Sequence, residues 1–460
     1  MASLMVIAHT GFAEYRVVEQ VEVGKTFAGT SLHAALLTHH DTQYVAYYDE
    51  NQQVTLAQRR IGDAEWVSRK LPLNANWNNH VGIHGFMIDQ EGLLHLSANM
   101  HARPLVYWRT SVPYDCPTLE QRNLHHIETL EPINRMVGRQ ENRVTYERFK
   151  KLPDGTRLFH YRHGGSGSGQ EIYNVYDPET RTWRRFMDEP MISGKGRVNA
   201  YQRGPRMGPD GWYHLIWMWR RTPDVETNHD LSYARSRDLK HWETITGSPL
   251  PRPITPDNRD TIIDPVPEKG GLHNSNHHFC FDRKDRIVVT YFKHDKNGDT
   301  QAYAARFEDG EWNVRQVSDW EGQHIFRGRG AGPATFGTTI QLGVPRQYGD
   351  DKLALPYTHW KAGNGVLLLD EDSLKLVGTA APSLPRYPRD LLAPSLEFTH
   401  EDGSRMGVRW VEDQGESTQE GRYVLRWESL GANRDRPRRG TTPPPSTLML
   451  YRLKTTQGDL

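Results

Sequence analysis

The sequence contains little cysteine, and this scarcity excludes one class of protein. Only two cysteines, Cys116 and Cys280, occur in 460 residues, and they lie far apart in the chain. Small secreted proteins that depend on a disulfide framework carry many closely spaced cysteines. The chain must therefore obtain its stability from a buried apolar core, for which its length is sufficient.

The sequence also lacks an excess of charge and a long apolar run. Lys plus Arg and Asp plus Glu both number 57, so no net field attracts nucleic acid or an anionic membrane, and we expect neither as a partner. The apolar run at residues 4–8 is too short to span a bilayer, and no basic residue precedes it, so we expect no membrane anchor and no signal peptide. We expect a secreted or periplasmic protein if an export signal has been removed from this chain, and otherwise a cytoplasmic one.

Long helical stripes are missing as well, whereas short strand-like segments recur. Each copy consists of an apolar strand, a polar turn, a second strand and often a tryptophan. The short runs alternate apolar and polar residues, which is the period of strands and not of helices. Seven copies are present, and they begin near Gln43, Gly92, Arg157, Gly211, Arg286, Lys352 and Gly407.

The copies predict an all-β fold, a seven-bladed β-propeller that occupies residues 1–460 as a single domain. They are roughly 50 to 75 residues apart, near or above the period of about 40 to 50 residues that is usual for propeller blades. A strand-like segment at residues 448–453 follows the last copy. We expect this segment to complete a blade with N-terminal strands and so to close the ring. The proline-rich residues 433–446 are predicted to form a surface loop.

Reactive side chains occur at equal distances from four predicted turns, at residues 89–92, 154–155, 210–211 and 282–285. The first two strands of a blade run antiparallel, so residues equally far before and after the turn meet at the same end. Eight such positions hold no aliphatic residue, and this composition predicts a functional site at the shared end of four blades. The positions are His80, Tyr146, Tyr201 and His273 before the turns, and His101, Arg162, Arg220 and His294 after them.

Two parts of the sequence resemble a known enzyme family. The run NNHVGIHGFMIDQEGLLHLSANMHARPLVYWRT (residues 78–110), and VTYERF with HYRHGGSGSG (residues 144–149 and 160–169), are similar to the BNR-type seven-bladed propeller polysaccharide lyases. These comprise ulvan lyases and rhamnose–glucuronate lyases. The resemblance implies β-elimination at a rhamnosyl-α-1,4-uronate bond of an acidic, rhamnose-containing polysaccharide. It also implies structural zinc or calcium and no cofactor for catalysis.

The chemistry of elimination explains the residue types. The uronate carboxylate must be neutralised, a base must remove the C5 proton, and an acid must protonate the departing O4. Arg162 is predicted to neutralise the carboxylate, His80 to act as the base, and Tyr146 to donate to the leaving oxygen or to do both. His101 is predicted to orient or polarise the reacting group, and which of the two histidines and the tyrosine is base or acid stays open. Substrate binding is predicted for Tyr201, Arg220, His273, Asn276 and His229.

Imidazoles and a thiol concentrate at residues 273–280. On a strand, His278 and Cys280 point to one face, which is compatible with two ligands of a closed zinc site. We predict His294 and His359 as the other two ligands. Ordinary histidines that line a channel without metal are the alternative.

Two other functions remain open. Propellers also carry glycoside hydrolases, including a histidine-dependent α-L-rhamnosidase type, but typical hydrolases of this kind need paired carboxylates, and the predicted site contains none. A non-catalytic glycan-binding propeller would not need a base and an acid beside arginines. The products separate these functions, because hydrolysis adds a water and elimination does not.

Overall fold

A computed structural model describes residues 15–75, 82–326, 338–382, 385–415, 421–433 and 437–455. Within these ranges nearly all regular structure is β-strand, so the predicted all-β fold is confirmed. The helical segments there are α1 (Pro117–Gln121) and the short 3-10 turns His126–Thr129, Val225–Thr227, Arg259–Thr261 and Arg389–Leu391. None of the helices in the described ranges is long and apolar enough to cross a membrane.

The described strands form seven sheets, which we number I to VII. Strands that follow one another in the chain lie mostly side by side, as they do in the blades of a propeller. Strand β1 (Tyr15–Thr26) belongs to sheet VII, and the short strand β15 (Ile192–Ser193) precedes sheet IV. Sheet I contains β2 (Ala35–His39), β3 (Thr42–Tyr48), β4 (Gln53–Arg60) and β5 (Val67–Asn74); sheet II contains β6 (Ile83–Ile88), β7 (Leu94–Ala98), β9 (Tyr107–Thr110) and β10 (Leu130–Pro132). Sheet III contains β8 (His101–Arg103), β11 (Val144–Lys151), β12 (Arg157–Gly165), β13 (Ser168–Asp177) and β14 (Thr182–Arg185); sheet IV contains β16 (Asn199–Met207), β17 (Tyr213–Arg220), β18 (Asn228–Ser236), β19 (Trp242–Glu243) and β20 (Ile262–Asp264). Sheet V contains β21 (His278–Phe281), β22 (Ile287–His294), β23 (Thr300–Glu308) and β24 (Glu311–Gln316); sheet VI contains β25 (Ile340–Leu342), β26 (Arg346–Tyr348), β27 (Lys352–His359), β28 (Gly363–Asp370) and β29 (Leu376–Ala380); sheet VII adds β30 (Gly407–Glu412), β31 (Arg422–Ser429) and β32 (Ser446–Thr455) to β1.

The described residues fall into two compact units. Unit 1 holds those within Ala13–Gly165, Glu171–Asp188 and Pro385–Leu460, and unit 2 holds those within Ser166–Gln170 and Glu189–Leu384. Sheets I, II, VII and most of sheet III belong to unit 1, whereas sheets IV, V and VI belong to unit 2. The seven sheets match the seven copies in the sequence, while the arrangement of all of them in one ring stays a prediction.

The core of unit 1 lies between neighbouring sheets. One apolar cluster joins Tyr44 and Leu56 of sheet I to Phe86 and Leu96 of sheet II, and all four side chains are buried. Full burial of one large apolar side chain stabilises a fold by about 1.5–3 kcal/mol. The alternation of apolar residues that predicted strands therefore also supplies the surfaces on which the sheets pack.

The first and last described strands share sheet VII. Strand β1 pairs antiparallel with β32 from Tyr15 opposite Thr455 to Thr26 opposite Ser446. On its other side β32 pairs with β31. Pairing of residues 448–453 with an N-terminal strand was predicted from the sequence, and it is present.

The four predicted turns connect antiparallel strands. In the turn between β6 and β7, the Asp89 N–H donates to the Leu93 carbonyl at 3.0 Å and the Gly92 N–H donates to the Asp89 carbonyl at 3.1 Å. The other three turns join β11 to β12, β16 to β17 and β21 to β22. The turns are thus as predicted, but register shifts displace the predicted pairs: Tyr201 lies opposite Met218, Arg220 lies opposite Asn199, and Arg162 lies opposite Thr145.

Candidate functional site

Two of the predicted residues meet where β8, β11 and β12 lie side by side in unit 1. Thr145 of β11 pairs with His101 of β8 on one side and with Arg162 of β12 on the other. Directly opposite residues of neighbouring strands project to the same face of a sheet. The backbone register alone therefore brings His101 and Arg162 to one place.

Tyr146 joins them through an irregularity in β11. The pairing of β11 with β12 is shifted between Thr145 and Arg148, and Tyr146 has a φ of 56°, in the left-handed region that is unfavourable for residues other than glycine. A bulge of this kind re-aims a side chain. The Tyr146 ring lies 5.9 Å from the His101 ring and 4.7 Å from Arg162 Cζ. The bulge thus places a phenol beside both an imidazole and a guanidinium.

His101 reaches the site because the chain leaves sheet II early. Strand β7 ends at Ala98, and Asn99 and Ala102 adopt left-handed φ values of 66° and 52°. The Ala102 N–H then donates to Thr145 Oγ1 at 2.7 Å, which holds β8 against β11. The sequence predicted that His101 lies near this end of the sheet but not that it pairs within sheet III.

The three side chains differ in their access to water. Arg162 is 2% exposed, whereas His101 and Tyr146 are half-buried. A guanidinium keeps its charge in proteins, and its attraction to an aromatic face strengthens when water is excluded. The site therefore combines a shielded, permanent cation with a phenol and an imidazole that a ligand can reach.

Glu147, which the sequence analysis missed, is buried next to Tyr146. Its side chain is fully buried, and neither carboxyl oxygen has a hydrogen-bond partner among the described residues. Burial raises the pKa of Glu147 well above the usual range. The pKa of Tyr48 is also raised, mainly by burial and to a smaller extent by the nearby Glu147. Burial of this kind favours the neutral form of a carboxyl group. The available signal was a glutamate within the strand pattern VTYERF, beside the predicted acid.

His80, the predicted base, lies outside the described residues, and its assignment stays a prediction. Two histidines that the sequence analysis did not select, His33 and His84, have ring centroids 5.0 Å apart. His84 lies at the start of β6, shortly after the segment that contains His80. His33 and His84 thus form a pair of imidazoles in unit 1 that the sequence did not indicate.

Three of the residues predicted to bind substrate form a group in unit 2. Arg220 Cζ lies 5.0 Å from the Tyr201 ring, and the Tyr201 hydroxyl lies 2.7 Å from Ser166 Oγ. The pKa of His273 is lowered to about 3, mainly by burial and further by His324 and Arg220. His273 is therefore neutral and within electrostatic range of Arg220.

Several polar atoms of these residues are engaged within the protein. Arg220 Nε donates to the carbonyls of Thr222 at 3.1 Å and Asp224 at 3.2 Å, so this arginine organises the loop after β17. Asn276 Nδ2 donates to His273 Nδ1 at 3.0 Å, and Asn276 Oδ1 accepts from the Leu342 N–H at 2.8 Å. Both side chains have structural contacts, and their contact with a ligand stays a prediction.

His229, the remaining predicted binding residue, belongs to a charged cluster on β18. Its Nδ1 lies 3.1 Å from Asp230 Oδ2, and the same carboxylate oxygen accepts from Arg259 at 2.7 Å. These partners lower the pKa of Asp230, although burial alone would raise it. His229 thus lies beside a carboxylate and opposite Trp219 of β17, and its contact with a ligand stays a prediction.

The four predicted metal ligands do not assemble into a site. In the described part of the chain no group of three or more His, Cys, Asp or Glu side chains could hold a metal ion. His278 Nε2 bonds to the Leu342 carbonyl at 3.0 Å, and Cys280 packs in an apolar cluster, where burial raises its pKa to about 12. His294 Nδ1 lies 2.9 Å from Thr300 Oγ1, and His359 Nδ1 accepts from the backbone of the following turn. The presence of a structural metal ion stays a prediction, and the described residues do not show which side chains would bind it.

Comparisons with known proteins give both a family and a fold. A model described as BNR repeat-containing family member matches residues 42–320. The ulvan lyase, long isoform, of Glaciecola sp. (strain KUL10) is 39% identical over 62 residues, which are 14% of this chain and 6% of that protein. The ulvan lyase, long isoform, of Pseudoalteromonas sp. (strain PLSV) matches with the same identity and coverage. The match therefore spans only a small part of the length of these relatives.

Solved structures resemble the whole chain at low identity. The polysaccharide lyase Uly1 has a TM-score of 0.58 and 12% identity over 95% of this chain and 99% of its own. A PL25 ulvan lyase bound to -[GlcA(1-4)Rha3S]- has a TM-score of 0.57 and 13% identity over 95% of this chain and 98% of its own. At these identities the likeness establishes a shared fold.

Proposed function

The chain belongs to the BNR repeat-containing family, and from this premise we propose that it is a polysaccharide lyase. The proposed reaction is β-elimination at a rhamnosyl-α-1,4-uronate bond, which leaves a 4,5-unsaturated uronate end. The substrate is an acidic, rhamnose-containing polysaccharide such as ulvan. The shared fold and the local likeness to ulvan lyases support the class of enzyme.

One observation carries the proposal: Tyr146 is held at a left-handed φ beside His101 and Arg162. Strain of this kind persists where the surrounding structure over-determines it, and it clusters at functional sites. The Tyr146 ring lies 5.9 Å from the His101 ring and 4.7 Å from Arg162 Cζ, so a phenol stands beside both an imidazole and a cation. Elimination from a uronate needs groups of these types.

In the proposed reaction, Arg162 neutralises the uronate carboxylate and so acidifies the proton on C5. A base removes this proton, the electron pair forms the C4–C5 double bond, and the bond from C4 to O4 breaks. Tyr146 then protonates O4 on the leaving sugar. His80 is the proposed base, Tyr146 serves both roles if the C5 proton lies on its side, and His101 orients the reacting group.

Hydrolysis is the less favoured chemistry for this arrangement. Glycosidases of the usual kind need two carboxyl groups on opposite sides of the bond. Among the described residues beside Tyr146, the buried carboxyl is that of Glu147, and it has no second carboxyl as a hydrogen-bond partner. A single buried carboxyl does not supply the pair of groups that such a mechanism needs.

The substrate and the location follow from the proposal. A polyanionic polysaccharide is met outside the cell, which agrees with a secreted or periplasmic enzyme. Elimination on an activated uronate needs no cofactor, and none is proposed for catalysis.

The proposal is tested by incubating the full chain with ulvan and following the ultraviolet absorbance of the conjugated double bond. We expect the wild-type chain to produce it and Tyr146→Phe to lower kcat/KM by about a hundredfold or more, because general acid–base groups contribute about 10²–10⁴. Tyr348→Phe, at a half-buried tyrosine of β26, is the matched control and should keep the wild-type rate.

Mass spectrometry of the products decides between the classes of function. Products that have gained a water would contradict elimination and indicate a hydrolase. Binding of ulvan without cleavage would contradict the enzyme and indicate a glycan-binding protein. Full activity in Tyr146→Phe would remove the proposed role of its hydroxyl.

A further inference from the structure

A cleft of about 690 Å³ lies in unit 1 at the other end of β11 from Tyr146. The turns after β2 and β6, the last residue of β11 and the first residue of β12 line it. Lys151, at this end, follows Tyr146 by five residues, which corresponds to about 17 Å along a strand. The cleft is therefore separate from the His101–Tyr146–Arg162 site.

Three aromatic rings form one wall of the cleft. The Tyr114 ring lies 4.5 Å from the His39 ring in an edge contact and 5.3 Å from the His40 ring in a stacked arrangement. His40 is exposed and occupies a turn with a φ of 53°, a conformation that favours Asn or Gly. The chain thus keeps an imidazole at a strained, exposed position beside the phenol.

The Tyr114 ring is fixed against the turn after β6. Its N–H donates to the Gly92 carbonyl at 3.0 Å, and Gly92 has a φ of 82°. A Cβ at Gly92 would lie 2.9 Å from Tyr114 Cδ1. The glycine therefore provides the space in which the ring rests, and the aromatic wall is preformed.

Arg157 supplies a buried cation to the cleft. Its side chain is 7% exposed, Nη1 donates to the Gly155 carbonyl at 2.6 Å, and Nε has no hydrogen-bond partner in the described part of the chain. Burial lowers its pKa, and the Asp89 carboxylate opposes this effect. A guanidinium that is sheltered from water and incompletely bonded is suited to bind an anion in a planar, bidentate fashion.

Two of the acidic groups around the cleft are already engaged. Asp89 Oδ2 lies 3.1 Å from His95 Nε2, and Glu91 pairs with Arg181 at 2.9 Å. Asp115 is exposed at the rim, and the exposed Lys151 adds a second cation. Arg157 is thus the cation in the interior of the cleft, where it also feels the charge of Asp89, and Lys151 is a second cation at the edge.

A second cleft of about 660 Å³ continues from the first. Gln90, Lys151 and Arg157 line both. Arg157 therefore lies between two adjoining spaces, each large enough for sugar rings. A chain molecule could occupy both while its negative group contacts the arginine.

We propose that this double cleft binds a segment of acidic polysaccharide, with a sugar ring stacked on Tyr114 and His40 and a carboxylate or sulfate on Arg157. The inference rests on the proposed function for the identity of the polysaccharide. The cleft holds the polymer while a different segment of it reaches the site at Tyr146. It is a binding site and takes no part in the elimination.

The test uses the full chain carrying Tyr146→Phe, in which cleavage of the probe is expected to be slow, and titrates it with a purified ulvan tetrasaccharide by calorimetry. We expect two separable binding events. Adding Tyr114→Ala should weaken one of them by about tenfold or more, since truncating an aromatic anchor costs at least about 1.4 kcal/mol. Arg157→Gln should weaken the same event, and Trp360→Ala, at an exposed tryptophan of unit 2, should change neither.

Kinetics in the wild-type background distinguish this inference from the proposed function. With Tyr114→Ala we expect an unchanged kcat/KM on the tetrasaccharide and a raised KM on the polymer. A single binding event, or Tyr114→Ala and Arg157→Gln variants that fold and retain both events, would overturn the inference. If the wild-type chain fails to cleave ulvan but the binding event sensitive to Tyr114→Ala is present, the cleft is supported and the lyase is not.

Discussion

At the scale of single residues, the carboxyl of Glu147 links the fold to pH. Its folded-state pKa is raised well above the usual range by burial, whereas in the unfolded chain it titrates near the ordinary value of about 4.3. Above that value the unfolded state releases a proton that the folded state keeps, so stability is highest below it and falls as the pH rises toward the folded-state pKa.

We therefore expect Glu147→Gln to make the stability of the protein less dependent on pH. The melting temperature of the variant should exceed that of the wild type above neutral pH, and the two should converge below about pH 4. Thermal unfolding across this range measures the difference. Glu179→Gln, at an exposed loop, is the control, and a variant curve parallel to that of the wild type would show that Glu147 does not titrate in this way.

The residue types of the site could be predicted from the sequence, but their conformations could not. Equal distances from a turn were enough to select Tyr146 and Arg162 together. The left-handed φ of Tyr146 results from the bulge in β11. Position 146 holds neither Gly nor Asn, the residues whose presence would have predicted this conformation. Glu147 was missed because strand alternation does not say whether an acidic residue beside a bulge faces water or the interior.

At the scale of secondary-structure elements, the site depends on the short strand β8. Thr145 Oγ1 accepts the Ala102 N–H at 2.7 Å, and Thr145 is fully buried. Thr145→Val keeps the shape of the side chain but removes this acceptor, and the loss of a part-buried hydrogen bond costs about 0.5–1.5 kcal/mol. Strand β8 then loses part of its attachment to β11.

We expect Thr145→Val to lower kcat on ulvan by about tenfold or more, since small displacements of positioned groups reduce rates strongly. The KM should change little, because Arg162 and the Tyr114 cleft are unaltered. Steady-state kinetics measure both constants. Thr145→Ser retains the hydroxyl and should restore most of kcat; equal losses in the Ser and Val variants would contradict a role for the hydrogen bond.

The elements themselves could be predicted in part. Alternation and turn residues predicted the strand pairs on both sides of the turns at residues 89–92 and 154–155, and these pairs are present. The transfer of His101 to a neighbouring sheet could not be predicted, because it depends on tertiary contacts of Asn99, which follows β7, and of Ala102 in β8. Asn99 Nδ2, for example, donates to the Asn74 carbonyl of sheet I at 2.9 Å. The bond of His278 to the Leu342 carbonyl is another contact between residues distant in sequence that the local pattern does not specify.

At the scale of the whole molecule, repeat counting predicted the seven sheets more reliably than it predicted their arrangement. Seven copies of a strand–turn–strand unit correspond to seven sheets among the described residues. The pairing of the two ends could also be predicted, because an unpaired strand at residues 448–453 would leave an exposed edge. A single ring of blades requires contacts that no repeat length specifies.

This end pairing leads to a prediction about the first strand. Strand β1 covers one edge of β32 along its length, and its Val23 packs with Leu36 of sheet I and Leu448 of β32. Deletion of residues 1–26 should uncover this cluster and make β32 an edge strand, with a loss of about 3 kcal/mol or more and a fall in melting temperature of about 3 °C or more. An exposed edge also pairs with other chains, so light scattering should show association.

A chain that begins at Tyr15 is the control, because it retains β1. Calorimetry of the two shortened chains measures the difference, and similar melting temperatures without association would mean that β1 contributes little to the stability of sheet VII.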